Sequence, residues 1–184
     1  NLVSFPTPVN NIINNLSGSS PASFGYTAGL TYANYAGGSL FICDRINNSI
    51  RRLDLNTNYV TTLTTSNAIP DSLDGPLSSA RFETPTNICY YNNCLYVCDY
   101  FTVRKINLQT SYVTTIAGQS GVQQEVDGLP NVSGFALTPE QICTDGTYLY
   151  VWERGQTKIR RINLSNNFMD TLTLNPATIG NCNG

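Results

Sequence analysis

Apolar and polar positions alternate in steps of two along this chain, in short segments broken by Asn, Asp, Gly and Ser. That spacing puts successive side chains on opposite faces and marks half-buried strands; no segment of any length carries helical periodicity. Between Pro85 and Ile116 the pattern predicts four strands in succession. Pro85-Thr86-Asn87-Ile88-Cys89-Tyr90 opens on a proline, which cannot sit inside a central ladder. Asn92-Asn93 then turns the chain into Leu95-Tyr96-Val97-Cys98, apolar on both faces. Asp99-Tyr100-Phe101 leads to Val103-Arg104-Lys105-Ile106-Asn107-Leu108, and Gln109-Thr110-Ser111 to Tyr112-Val113-Thr114-Thr115-Ile116.

The same set occurs three times. Leu40-Phe41-Ile42-Cys43-Asp44, Leu95-Tyr96-Val97-Cys98-Asp99 and Leu149-Tyr150-Val151-Trp152-Glu153 are each followed by an apolar-basic-basic-apolar strand. Its first basic residues, Arg51, Arg104 and Arg160, step by 53 and then 56 residues. A long excursion precedes the second and third copies, with Asp74-Gly75 eight residues before Phe82 and Asp127-Gly128 eight before Phe135. Four short antiparallel strands followed by a longer crossing is the pattern of a propeller blade, and periods of this size mark repeat architectures. The ordered motifs resemble NHL repeats: Leu95-Tyr96-Val97-Cys98-Asp99, Val103-Arg104-Lys105-Ile106-Asn107, Val113-Thr114-Thr115-Ile116-Ala117-Gly118, and Asp74-Gly75 with Ala80-Arg81-Phe82. The resemblance implies an all-β, propeller-like chain of three four-stranded blades at about 24–65, 82–118 and 135–174. Residues 1–23 form an arm, where Ser17-Gly18-Ser19-Ser20 stands in place of an Asp-Gly excursion, and 175–184 a tail.

Three blades are too few for a ring, since propellers close with roughly four to eight. Val9, Ile12 and Ile13 align with the fourth strand at Val60-Thr61-Thr62-Leu63, as an orphan strand without its own blade. Open blade faces and an unpaired edge need cover. Expected partners are therefore copies of the same chain, joined by strand donation or blade-face packing, with a filament where donation does not close. A strand folded back on its own chain and a piece of a longer chain are the alternatives.

Charge narrows the partners. A charged fraction of 12% and a net charge of −2 leave no footprint for nucleic acid, and no apolar run is long enough for membrane insertion. Asn1-Leu2-Val3-Ser4-Phe5-Pro6 does not read as a signal peptide. Six cysteines without a CxxC pair, and only two lysines among ten basic residues, suggest an extracellular protein. Cys89 and Cys94 bracket a hairpin loop and are the expected disulfide, with small buried hydrophobes as the alternative; the pairing of Cys43, Cys98, Cys143 and Cys182 stays open. Sequons stand at Asn15, Asn47, Asn131 and Asn163, about the number chance gives for 22 asparagines, with Asn47 and Asn131 in exposed loops.

The chain has no histidine, which removes the commonest general base and metal ligand. Peptide-cleaving lyases of NHL type rely on a histidine-bound metal, so the resemblance carries no such activity here, and no cofactor is expected. Asp44, Asp99 and Glu153 end equivalent strands and could ligate a cation such as Ca²⁺, but ion pairs and turn hydrogen bonds are the expected use. Of each basic pair, Arg51/Arg52, Arg104/Lys105 and Arg160/Arg161, only one member can line a shared face, and pairing to the acidic row is favoured over an anion-binding rim. Trp152, alone of its type, is expected in the core. The function expected from these residues is a non-catalytic structural protomer. A binding module for protein or glycan, in a propeller completed by a second chain, is the alternative.

Overall fold

The computed structural model describes residues 24–64 and 71–172, in which all regular structure is β. Strands β1 (Thr27–Ala33), β2 (Ser39–Asp44), β3 (Ser49–Asp54) and β4 (Val60–Thr62) form the first sheet in that order. The second sheet takes β6 (Pro85–Tyr91), β7 (Cys94–Asp99), β8 (Thr102–Asn107) and β9 (Tyr112–Gly118), with a short β5 (Gly75–Pro76) added outside β9. The third comprises β10 (Pro139–Thr144), β11 (Tyr148–Glu153), β12 (Ile159–Asn163) and β13 (Met169–Leu172). Three antiparallel meanders are what the alternation predicts. Val9, Ile12 and Ile13, and with them the orphan strand, lie outside the described residues.

Turn chemistry fixes the register. Asn92 and Asn93 both adopt positive φ, 46° and 57°, so β6 and β7 join through a two-residue loop with Tyr91 opposite Cys94. Asparagine tolerates this region because its short amide compensates locally. At the third turn of each unit one side-chain oxygen accepts two hydrogen bonds. Asp54 Oδ1 accepts from Asn56 and Thr57, and Asn107 Oδ1 from Gln109 and Thr110. Asn163 Oδ1 accepts from the N–H and hydroxyl of Ser165.

Two cores separate the three sheets. Phe41, Cys43 and Ile50 of the first sheet pack on Ile88, Leu95, Val97 and Ile106 of the second. Tyr96, Cys98, Val103 and Ile116 on the opposite face of that sheet pack on Ile142, Leu149, Val151 and Ile162 of the third. Strand β7 is buried along its whole length, as its unbroken apolar run predicts.

The excursions supply what the alternation did not predict. Gly75, at φ 144°, pairs with Val113 on the outer edge of the second sheet, and Gly128, at φ 145°, pairs with Met169 on the third. Each Asp-Gly pair thus hooks the crossing onto the outer strand of the blade it enters, through a φ that favours glycine. Gly118 is constrained twice, by a φ of 79° and by the Phe101 carbonyl oxygen, 2.1 Å from where a Cβ would stand. Gly118→Ala is expected to cost ~1–3 kcal/mol in urea denaturation, the range for enforced backbone strain.

Candidate functional site

The repeated acidic and basic rows come together at one end of the sheets. In the second unit the Arg104 side chain is fully buried. Its Nη1 donates to Asp99 Oδ2 at 3.2 Å, Ser72 Oγ at 2.6 Å and the Arg81 carbonyl at 3.1 Å. Its Nη2 and Nε both donate to Asp74 Oδ1, at 2.6 and 3.1 Å, and the guanidinium lies over the Phe82 ring. The third unit repeats the arrangement. Arg160 reaches Glu153 Oε1 at 3.2 Å, Asp127 Oδ1 at 2.8 Å and the carbonyls of Gly134 and Val126, over Phe135. In the first unit Arg51 pairs with Asp44 at 3.1 Å, over Phe24.

The strand-end acids also collect the backbone that follows each phenylalanine. Asp44 accepts from the Gly25 N–H, Asp99 from those of Glu83 and Thr84, and Glu153 from that of Leu137. Asp74 and Asp127 hold the outer strands, accepting from the N–H and hydroxyl of Thr115 and Thr171. The second and third clusters each tie together an entering crossing, the inner strands and the outer strand of one blade. The acidic row therefore pairs with the arginines, as expected. Asp74 and Asp127 were missed as members, although their constant offset from phenylalanine was visible. Among the described residues no three of His, Cys, Asp and Glu gather to hold a metal.

Burial pushes the Asp99 carboxyl up to about 6, against the pull of Arg104 and of the Thr84 and Glu83 N–H groups. Between its ordinary 3.8 and about 6, the unfolded chain has released this proton and the folded chain retains it. Stability from this group is therefore greatest below pH 3.8 and is lost as pH rises through 6, by ~3 kcal/mol for a shift of about two units. Comparing urea stabilities of wild type and Asp99→Asn across this range should show wild type losing that amount relative to the variant.

The expected Cys89–Cys94 disulfide is not formed; both are free thiols, as are Cys43, Cys98 and Cys143. The two-residue loop explains the error. It sets Cys89 opposite Tyr96, diagonal to Cys94, and diagonal Cα pairs lie roughly 7–8 Å apart, beyond disulfide reach. Burial raises the Cys43 and Cys98 thiols well above their usual range and Cys89 to about 12, so these three stay protonated and unreactive at neutral pH. Trp152 is also corrected. It lies partly exposed on the outer face of the third sheet, its Nε1 donating to the Gln156 carbonyl at 2.8 Å.

The sequons divide by geometry. The Asn47 amide is spent on Asp44 Oδ2 at 2.9 Å, Asn163 caps its turn, Asn131 is exposed in the second excursion, and Asn15 lies outside the described residues.

The opposite end of the sheets differs in kind. Here β1, β6 and β10 finish, β2, β7 and β11 begin, and the capped turns lie. Eight of the chain's eleven tyrosines stand on or beside these turns: Tyr32, Tyr35, Tyr59, Tyr90, Tyr91, Tyr112, Tyr148 and Tyr150. Tyr32, Tyr59, Tyr91 and Tyr112 are exposed, as is Phe168 at the equivalent turn of the third sheet. Hydrogen bonds orient two of the others, with Tyr90 Oη reaching Asn93 and Tyr150 Oη reaching Asp145 at 2.9 Å. Of the second basic row, Arg52 and Arg161 are paired with Asp54 and Asp170 and lie over Tyr35 and Tyr148. The rim is thus aromatic and amide-rich, with these two charges neutralised.

No family model and no curated protein matches the chain. Solved structures do. A protein of unknown function from Bacteroides thetaiotaomicron aligns at TM-score 0.62 and 23% identity, over 73% of this chain and 32% of its own. An auxiliary nutrient binding protein from Bacteroides ovatus gives 0.60 and 19%, over 79% and 38%. Virginiamycin B lyase from Staphylococcus aureus gives 0.53 and 17%, over 82% and 42%. Extracellular domains of Bacteroides thetaiotaomicron two-component systems match as well. At these identities the likeness is one of fold. The chain is all-β and propeller-type, and spans about a third of the length of the first two structures it matches.

Proposed function

We propose that these three propeller blades, of NHL-like repeat, form a non-catalytic extracellular binding module that recognises a neutral glycan on its tyrosine rim. The observation that carries this reading is the separation of the two ends. The arginines and acids of the conspicuous rows are consumed in joints at one end, while exposed tyrosines flanked by Asn and capped turns remain at the other. Aromatic rings offer an apolar face with a polar handle, which suits the alternating CH and OH surfaces of a sugar. Nutrient-binding proteins among the matched structures agree with a ligand-binding role, and the whole chain's lack of histidine agrees with absence of acid–base catalysis. The lysine-poor surface and the matched extracellular domains support the location, to which the buried thiols add nothing. The filament expected from strand donation finds no support in the comparisons and is not carried forward.

A glycan array probed with the 184-residue chain tests the reading. Retention on neutral oligosaccharides is expected, weakened roughly tenfold or more in a Tyr32→Ala/Tyr91→Ala variant, as for loss of a central aromatic anchor. A wild-type chain that no neutral glycan retains, or retention untouched by the double substitution, overturns it.

A further inference from the structure

The turn between β10 and β11 in the third sheet seats a tyrosine of the second. Gly146 stands in that turn at φ 91°, and a Cβ there would meet Tyr91 Oη at 3.1 Å and Cε2 and Cζ both at 3.2 Å. An edge-on ring would leave Cζ clearly farther away than the two atoms beside it, so the face of Tyr91 lies on the glycine. The seat is braced from below. Asp145 Oδ1 accepts from the N–H groups of Thr147 and Tyr148, both at 2.7 Å, and its Oδ2 from the Tyr150 hydroxyl at 2.9 Å. The Gly146 N–H donates to Thr144 Oγ1 at 3.0 Å. Tyr91 nevertheless remains 40% exposed. Beside it the exposed Asn92 amide has no hydrogen-bond partner among the described residues.

We infer that Tyr91 is the platform on which one pyranose ring of the bound glycan stacks, with Gly146 as its positioning residue and Asn92 as the amide that meets the sugar's hydroxyls; this rests on the proposed glycan recognition. One face of the ring is spent on the glycine, which leaves the other to a ligand. A pyranose carries C–H bonds on its faces and hydroxyls around its edge, which an aromatic face with an amide beside it complements. A ring already seated loses little freedom when the sugar arrives. Only glycine leaves room for that seat, since any Cβ would stand where the ring lies. The platform spans the joint between the second and third sheets, so neither unit forms it alone.

The array of neutral oligosaccharides, probed with single variants of the 184-residue chain, tests this, with circular dichroism confirming the fold of each. Gly146→Asn should lower retention roughly tenfold, as Tyr91→Ala does, because the new side chain displaces the ring. Gly121→Asn is the control. It shares the positive φ, at 70°, which asparagine tolerates best, but has nothing within 4 Å of a Cβ, and it should retain glycan as wild type does. Asn92→Ala should lower retention about fivefold, the worth of one hydrogen bond. A folded Gly146→Asn with full retention overturns the inference, as do equal losses in Gly146→Asn and Gly121→Asn. Full retention by Tyr91→Ala also overturns it, and leaves the proposed function standing on Tyr32 if the double variant still fails. A wild-type chain that no neutral glycan retains overturns both.

Discussion

Arg104→Met is expected to destabilise the chain by ~3–5 kcal/mol, the range for removing one partner of a buried ion pair. The substitution keeps most of the side-chain volume, so lost packing is a minor part of the effect. What remains is Asp99, fully buried and stripped of the only cationic partner it has among the described residues, with Asp74 keeping its Thr115 donors but losing Arg104, and the hydroxyl of Ser72 losing its Arg104 donor. The carbonyl of Arg81 loses its hydrogen bond as well. Arg161→Met is the control. That arginine also makes a two-toothed contact, with Asp170 at 3.1 and 2.6 Å, but both side chains are about a third exposed. Water and screening reduce such a pair to a small fraction of that. Urea denaturation of the two variants should separate them clearly, although both residues belong to the same apolar-basic-basic-apolar pattern.

Phe82→Ala should cost a similar ~3–5 kcal/mol, typical for emptying a buried phenylalanine site. Phe82 is fully buried in the first core and forms the floor under the Arg104 guanidinium. Truncation therefore removes apolar packing between two sheets and the ring face that the cation occupies. Leu95→Ala, equally buried in the same core but part of no ring–cation contact among the described residues, isolates the packing part at ~2–5 kcal/mol. Collapse of the Arg104 cluster in Phe82→Ala should additionally flatten the pH dependence assigned to Asp99, which Leu95→Ala should preserve. Denaturation at pH 4 and pH 7 reads both effects.

Much of this architecture was legible from alternation alone. The strands of the second sheet fall within a residue or two of their expected bounds because an unbroken run such as Leu95–Cys98 fits nothing but a strand buried on both faces. The sharing of one face by Arg51, Arg104 and Arg160 followed from strand geometry, and so did their pairing to Asp44, Asp99 and Glu153. Three features escaped for distinct reasons. The role of Asp74 and Asp127 depends on contacts 30 and 33 residues away along the chain, which no local pattern encodes. The Cys89–Cys94 bridge failed on the turn, because a two-residue Asn-Asn loop shifts the pair by one diagonal step. Trp152 broke the expectation of burial because the third sheet is the last of the described array, and the face that covers Cys98 in the second sheet has no counterpart there. The tyrosine rim emerged only once the turns of three units were placed side by side. Tyr59, Tyr112 and Phe168 each stand eight residues after Arg51, Arg104 and Arg160, whereas Tyr32, Tyr91 and Tyr148 hold unequal offsets, so alignment of the motifs gathers only part of it.

A double-mutant cycle between Asp99 and Arg104, read by urea denaturation at pH 7, tests most directly whether the repeated charges are joints of the fold. Asp99→Asn, Arg104→Met and the combined variant should show a coupling of ~2 kcal/mol, because each residue's cost arises largely from stranding the other. Additive effects, with no coupling between a carboxylate and a guanidinium 3.2 Å apart, would contradict that role.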